Sequence, residues 1–132
     1  MKSYTDLEQS KRLAEILPLE SADMCYKCIG EDPYDVILRP YSEWKEEYKG
    51  LLVGKEVDVI PCWSLAALLN VIPKRINDYN VLRIDIGNDE FAIWYDEIGY
   101  GVNNDLPDIT SETAVDSCYE MILKLNEFKI WK

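Results

Sequence analysis

The chain has 132 residues, 48% of them hydrophobic, and a formal net charge of −11. That length and apolar content fit one domain with its own core, expected over residues 1–132. The acidic balance argues against direct nucleic-acid binding, which needs a basic face to displace counterions, and the absence of any His removes Ser-His and Cys-His nucleophiles and imidazole metal ligands.

Residues 5–17 predict an amphipathic helix. Thr5 and Glu8 have capping-box spacing, Leu7, Leu13, Ala14, Ile16 and Leu17 form its apolar stripe, and Pro18 closes it. Residues 21–30 fit a short helix or an irregular strand equally well. Residues 35–39 are β-like. Residues 42–49 predict a short helix with acids in its first turns, ended by Gly50, and residues 51–60 a loop or weak strand.

The run at 60–73, IPCWSLAALLNVIP, is the predicted centre of the core. Between Pro61 and Pro73 only Ser64 and Asn70 are polar, so a helix over 64–72 is apolar on nearly every side and belongs inside. Ser64 is its natural N-cap, Trp63 and Leu68 stand at staple positions, and Pro73 stops it. Asn70 needs a partner or an exit to solvent.

Residues 81–86 and 91–95 alternate apolar with polar, and 87–90 (Gly-Asn-Asp-Glu) is a hairpin turn. A third strand is expected at 99–102. Residues 113–126 predict the best-marked amphipathic helix, with Val115, Cys118, Ile122 and Leu125 on one stripe. Thr113 and Asp116 have capping-box spacing, and Ser111 competes for the cap. The expected architecture is α+β: a small antiparallel sheet, hairpin 81–95 plus strand 99–102, covered by helices at about 5–17, 42–49, 64–72 and 113–126. The central and last helices are expected to pack on the sheet.

Four segments, TDLEQSKRLAE near the start, SADM at 21–24, IPCWSLAALL and TAVDSCYEMI, together resemble a family of small acidic proteins common in gut Bacteroides genomes, often near prophage or mobile-element genes. The resemblance covers both ends and the middle and varies at roughly 25–60. It implies a phage-associated neighbourhood. It brings no activity and no catalytic residue.

The chain lacks the glycine-rich phosphate loops. Cys25 and Cys28 form a C-x-x-C that, with Cys62 and Cys118, has the count for a zinc site. It lacks a second C-x-x-C or a Cys/His pair, so the thiols read as small hydrophobes, and no metal or cofactor is expected. A calcium loop through Asn103, Asn104, Asp105 and Asp108 has the right donors without EF-hand spacing. Trp44, Tyr48, Trp94, Tyr95 and Tyr100 read as core and rim, with a ligand groove as the other option.

The acids are concentrated. Residues 84–123 hold ten Asp and Glu and no Lys or Arg, leaving fifteen acids against fourteen bases elsewhere. The leading reading is a non-enzymatic interaction protein that meets a basic protein partner through Asp89, Glu90, Asp96, Glu97, Asp105, Asp108, Asp116 and Glu120. Hairpin and helix carboxylates are expected to share one side. The alternative is a small-ligand binder or enzyme with a carboxylate and aromatic pocket near hairpin 81–102. No apolar run approaches the roughly 20 residues that cross a bilayer, and polar residues follow Lys2 where a secretory signal would be apolar. A cytoplasmic protein without membrane contact is expected.

Overall fold

The structure, a computed structural model, describes residues 2–30, 33–40, 57–76, 80–97 and 106–127. The fold is α+β. Among the described residues it has three α-helices and two antiparallel sheets, of three and four strands. The chain forms two compact units, Tyr4–Ala67 and Leu68–Lys132, the latter joined by Met1–Ser3. The predicted helix at 42–49 and strand at 99–102 lie outside the described residues.

In the first unit, helix α1 spans Leu7–Ala14. Its cap is Asp6, one residue later than the Thr5 that spacing suggested. The Asp6 carboxylate accepts from the Gln9 N–H at 2.8 Å, and the Gln9 side chain accepts from the Asp6 N–H at 3.1 Å, closing a capping box. The helix stops short of residue 17 as its last turn tightens to i→i−3 bonds, the Glu15 N–H donating to the Arg12 carbonyl at 3.2 Å and the Ile16 N–H to the Leu13 carbonyl at 3.0 Å.

Thr5 has a different task. It is fully buried, and its N–H donates to the Trp63 carbonyl at 2.9 Å. Its hydroxyl accepts from the Trp63 N–H at 3.2 Å and bonds the buried Ser10 hydroxyl at 2.7 Å. Its carbonyl accepts from the Tyr26 hydroxyl at 2.7 Å and from the Cys62 thiol at 3.5 Å.

Three strands between Met24 and Cys62 form a sheet that the sequence announced only in part: 35–39 read as β-like, and 21–30 and 51–60 each had a strand as one of two readings. Strand β1 (Met24–Ile29) lies between β2 (Asp35–Ile37) and β3 (Val57–Cys62), antiparallel to both. Met24, Tyr26, Ile60, Cys62 and Val36 share one face through the register. Met24, Tyr26 and Cys62 form a core against which Tyr4, Leu7, Tyr34, Val36 and Ile60 pack, and α1 lies on β3. Pro61 is tolerated because β3 is an edge strand, where one side needs no ladder donor. Gly30, at φ 61, turns the chain out of β1 in a left-handed conformation that suits a residue without Cβ.

Helix α2 spans Leu65–Val71, close to its predicted range. The Ser64 hydroxyl accepts from the Ala67 N–H at 3.2 Å, as an N-cap should, and Asp23 in turn accepts from the Ser64 N–H at 2.9 Å and from its hydroxyl. Lys74 closes the other end by donating to the carbonyls of Leu69 and Ile72. Asn70 is exposed, so its amide exits to solvent.

In the second unit, β4 (Arg75–Ile76), β5 (Asn80–Ile86), β6 (Phe91–Glu97) and β7 (Asp108–Ser111) form a four-stranded antiparallel sheet in that order. The hairpin is as predicted, with the Gly87 N–H donating to the Glu90 carbonyl at 2.8 Å. β4 and β7 were not predicted. Helix α3 (Ala114–Glu127) packs on β6 and β7, burying Val115, Cys118, Met121, Ile122 and Leu125. Thr113 caps it, accepting from the Asp116 N–H at 3.0 Å, while Ser111 donates to the Thr113 carbonyl at 2.8 Å.

Replacing Thr5→Val keeps the shape and removes the hydroxyl. The Trp63 N–H and Ser10 hydroxyl then lose a buried partner, so urea unfolding should show a loss of about 2 kcal/mol. Thr5→Ser should recover most of it.

Candidate functional site

In an antiparallel sheet, register partners share a face. In the second unit, the rows Ile86–Phe91–Ser111, Ile84–Ile93–Ile109 and Leu82–Tyr95 occupy the face on which α3 lies. The rows between them form the outer face: Asp85–Ala92–Thr110, Arg83–Trp94–Asp108 and Arg75–Val81–Asp96. Arg75, Arg83, Asp85, Asp96, Asp108 and Thr110 are all exposed there. Half-buried Trp94 sits among them, opposite Asp108 and two residues along the strand from Asp96. The Arg83 guanidinium approaches the Asp96 carboxylate at 3.6 Å, a pair that, exposed as it is, contributes at most about 1 kcal/mol.

Of the eight carboxylates singled out in sequence, the six whose side chains are described do not form one surface. Asp96 and Asp108 come together on this outer face. Asp89 and Glu90 are exposed at the β5–β6 turn. Asp116 and Glu120 lie on α3, one turn apart as their spacing requires, but α3 covers the opposite face of the sheet from Asp96 and Asp108. The Lys2 ammonium donates to the Asp116 carboxylate at 2.7 Å, so part of the helix charge is answered within the unit. Asp105 and the Glu97 side chain lie outside the described residues, as do Asn103, Asn104, Trp44, Tyr48 and Tyr100. Arg83 and Asp85 were missed as site residues although the alternation of β5 had already put them on the solvent side. A search for a stretch without bases starts one residue past Arg83, which hid that residue, while Asp85 lay inside the stretch and was passed over for the acids of the turn, loop and helix.

The aromatic pair separates. Trp94 faces outward, while Tyr95 is buried on the helix side and its hydroxyl donates to the Pro73 carbonyl at 2.6 Å. Burial raises the Tyr95 phenol well above its ordinary range.

The C-x-x-C motif falls on β1, where a spacing of three sends Cys25 and Cys28 to opposite faces. Two thiols on opposite faces of one strand cannot grip one ion. Among the described residues no group of three or more Cys, Asp or Glu is arranged to hold a metal. Cys25, Cys62 and Cys118 are fully buried, whereas Cys28 is half-buried and its thiol donates to the Gly30 carbonyl at 3.5 Å. On the same face, Tyr34 donates to the Asp58 carboxylate, and that bond raises its phenol to about 12.

No family model, no curated protein and no solved structure matches this chain.

Two outcomes follow from the thiols. A small disulfide reagent should modify one thiol quickly in the native protein and all four Cys in denaturant. Cys28→Ser should abolish the fast phase. Burial also lifts the Cys25 thiol from 9.0 to about 11 and the Cys118 thiol to about 12. Raised acids of this kind hold their protons longer when folded. Their stabilising effect is therefore complete below pH 9 and is lost as pH rises through the folded values. Melting temperature should fall across that alkaline window, and less steeply in Cys25→Ala/Cys118→Ala, even though the double variant starts from a lower value.

Proposed function

We propose that this chain is a non-enzymatic interaction protein that meets a basic protein partner through the outer face of its four-stranded sheet. The observation that carries the reading is the exposure of Asp85, Asp96 and Asp108 around Trp94 on that face. An aromatic residue set among charges is the anatomy of a protein-docking hot spot: the ring supplies contact area, and the rim supplies orientation and on-rate. Arg75 and Arg83 lie on the same face, and Asp89 and Glu90 extend the negative potential past its end. The chain's net charge of −11 would speed encounter with a basic partner and repel nucleic acid.

Further support is compositional. With no His in the chain, general acid–base chemistry would rest on carboxylates, Lys, Tyr or Cys. The described cysteines and tyrosines with resolved shifts move upward, away from reactive ionisation at neutral pH. No described helix is long and apolar enough to cross a membrane. We place the protein in the cytoplasm because its sequence shows no run of signal-like or membrane-spanning apolar character, and its partner among phage or mobile-element proteins on the strength of the sequence resemblance.

The test is affinity capture from the native host with wild type and with Asp96→Lys/Asp108→Lys, at low and high salt. The partner captured by wild type at low salt should be lost from the variant and from wild type at high salt, since exposed charges are screened within about 8 Å at physiological ionic strength. Stability should change by no more than about 0.5 kcal/mol. The same partners in all four lanes would reduce the charge to a solubility feature.

A further inference from the structure

Strand β5 has an edge that its neighbours leave open. β4 pairs with it only at Val81 and Asn80, and the Leu82 N–H then donates to the Lys74 carbonyl at 2.9 Å. Because Leu82 points its backbone to that side, Ile84 and Ile86 do the same. The hairpin agrees, since Gly87 bonds inward to Glu90 and antiparallel ladders alternate. Among the described residues, none pairs with the outward N–H and C=O groups of Ile84 and Ile86. Their side chains are uncovered too: Ile84 is 40% and Ile86 75% exposed, two of four large exposed apolar residues among those described.

We propose that this edge accepts a strand from the basic partner by β-addition. The inference rests on the reading above and specifies how that partner docks. Two β-branched side chains on one face and two free ladder positions are what an added strand uses for affinity. The chemistry of the incoming strand follows from the register. Opposite Ile84 and Ile86 it carries apolar residues. Opposite Asp85, on the outer face, it carries Lys or Arg. Asp85 faces its partner residue across a non-bonded pair, where side chains come closest, and Asp89 and Glu90 at the turn add negative charge at the same end.

A second copy of this chain fits the edge badly. The pairing that sets Ile84 against the copy's Ile84 drives Ile86 onto the place beside Leu82 that Lys74 already occupies. The pairing that sets Ile84 against the copy's Ile86 avoids this but puts Asp85 directly opposite Asp85, and like charges so placed destabilise. A net charge of −11 on each copy opposes it further.

The experiment uses the full chain and a short synthetic peptide alternating isoleucine with lysine. A peptide of the same composition with its isoleucines and lysines in separate blocks is the control. The alternating peptide should bind about tenfold or more tightly than the control, and amide exchange at Ile84 and Ile86 should slow by about tenfold on binding. Ile84→Pro removes an outward N–H, and Ile86→Lys adds a repelling charge at a site exposed enough to tolerate it. Each should weaken binding by about tenfold. Equal binding of the two peptides, no binding, or unchanged exchange at Ile84 and Ile86 would overturn the proposal. So would a dimer that protects the same amides without peptide. In the capture assay, loss of the partner by Asp96→Lys/Asp108→Lys but not by Ile84→Pro or Ile86→Lys would refute the edge and leave the acidic-face reading standing.

Discussion

Burying a hydroxyl is costly unless its partners come with it, and Thr5 is buried completely. Its three polar groups are satisfied by four residues on three segments: Ser10 on α1, Tyr26 on β1, and Cys62 at the end of β3 with Trp63 next to it. At roughly 1 kcal/mol net per bond the gain is modest, but the penalty for leaving any of these groups unpaired is larger. The bonds can be satisfied only when α1, β1 and β3 are all in place. That asymmetry makes Thr5 the constraint on which the three-stranded sheet and its covering helix depend. It also explains why the capping task passes to Asp6: a buried residue whose hydroxyl is engaged with Trp63 and Ser10 has nothing to offer the first turn of α1.

The second unit uses the same device with a tighter economy of protons. The Ser117 hydroxyl reaches the Phe91 carbonyl at 2.7 Å, the Ser111 hydroxyl reaches the Thr113 carbonyl at 2.8 Å, and the two hydroxyls are 2.6 Å apart. Two protons cannot fill three contacts, so the possible arrangements differ in which contact goes without one. Each arrangement ties the start of α3 to β6 or holds the turn between β7 and α3. Asn80 is the counterexample. It is 1% exposed at the start of β5, and its Oδ1 has no hydrogen-bond partner among the described residues.

The elements legible in sequence are those whose burial is one-sided. α3 shows its apolar stripe because one flank meets the sheet and the other meets solvent. β6 shows alternation for the same reason, with Phe91, Ile93 and Tyr95 buried, whereas β5 carries the same alternation although Ile84 and Ile86 are exposed. α2 was legible through its boundaries, Ser64 and Pro73, since an all-round apolar run has no periodicity to read. β1 stayed undecided between helix and strand because Met24, Cys25 and Tyr26 are all buried, so two faces are apolar and alternation vanishes. β7 is only four residues with a single large apolar side chain, and β4 only two. Of the candidate site, the negative charge was legible, and its division between two sides of the unit was not. Sequence counts charges along the chain, whereas the face each one occupies is decided by which strands are paired and where α3 lies.

That position of α3 has a geometric consequence for the sheet. A helix with its side chains is about 10 Å wide and strands are spaced about 4.8 Å apart, so one helix covers roughly two strands. α3 covers β6 and β7. The burial along β5 follows: Asn80 is buried, Val81 and Leu82 are half-buried, and everything from Arg83 to Ile86 is exposed. Register would place Ile84 and Ile86 on a core face, yet no second helix extends that core to them among the described residues. Edge strands ordinarily guard such ends with Pro, inward charges or a bulge. The exposed end of β5 carries only Arg83 and Asp85, and both point to the outer face. The negative charge of the turn beyond it opposes pairing with a second copy and would favour a basic strand, so the carboxylates that guard the edge against self-pairing are also the ones that would select the proposed partner.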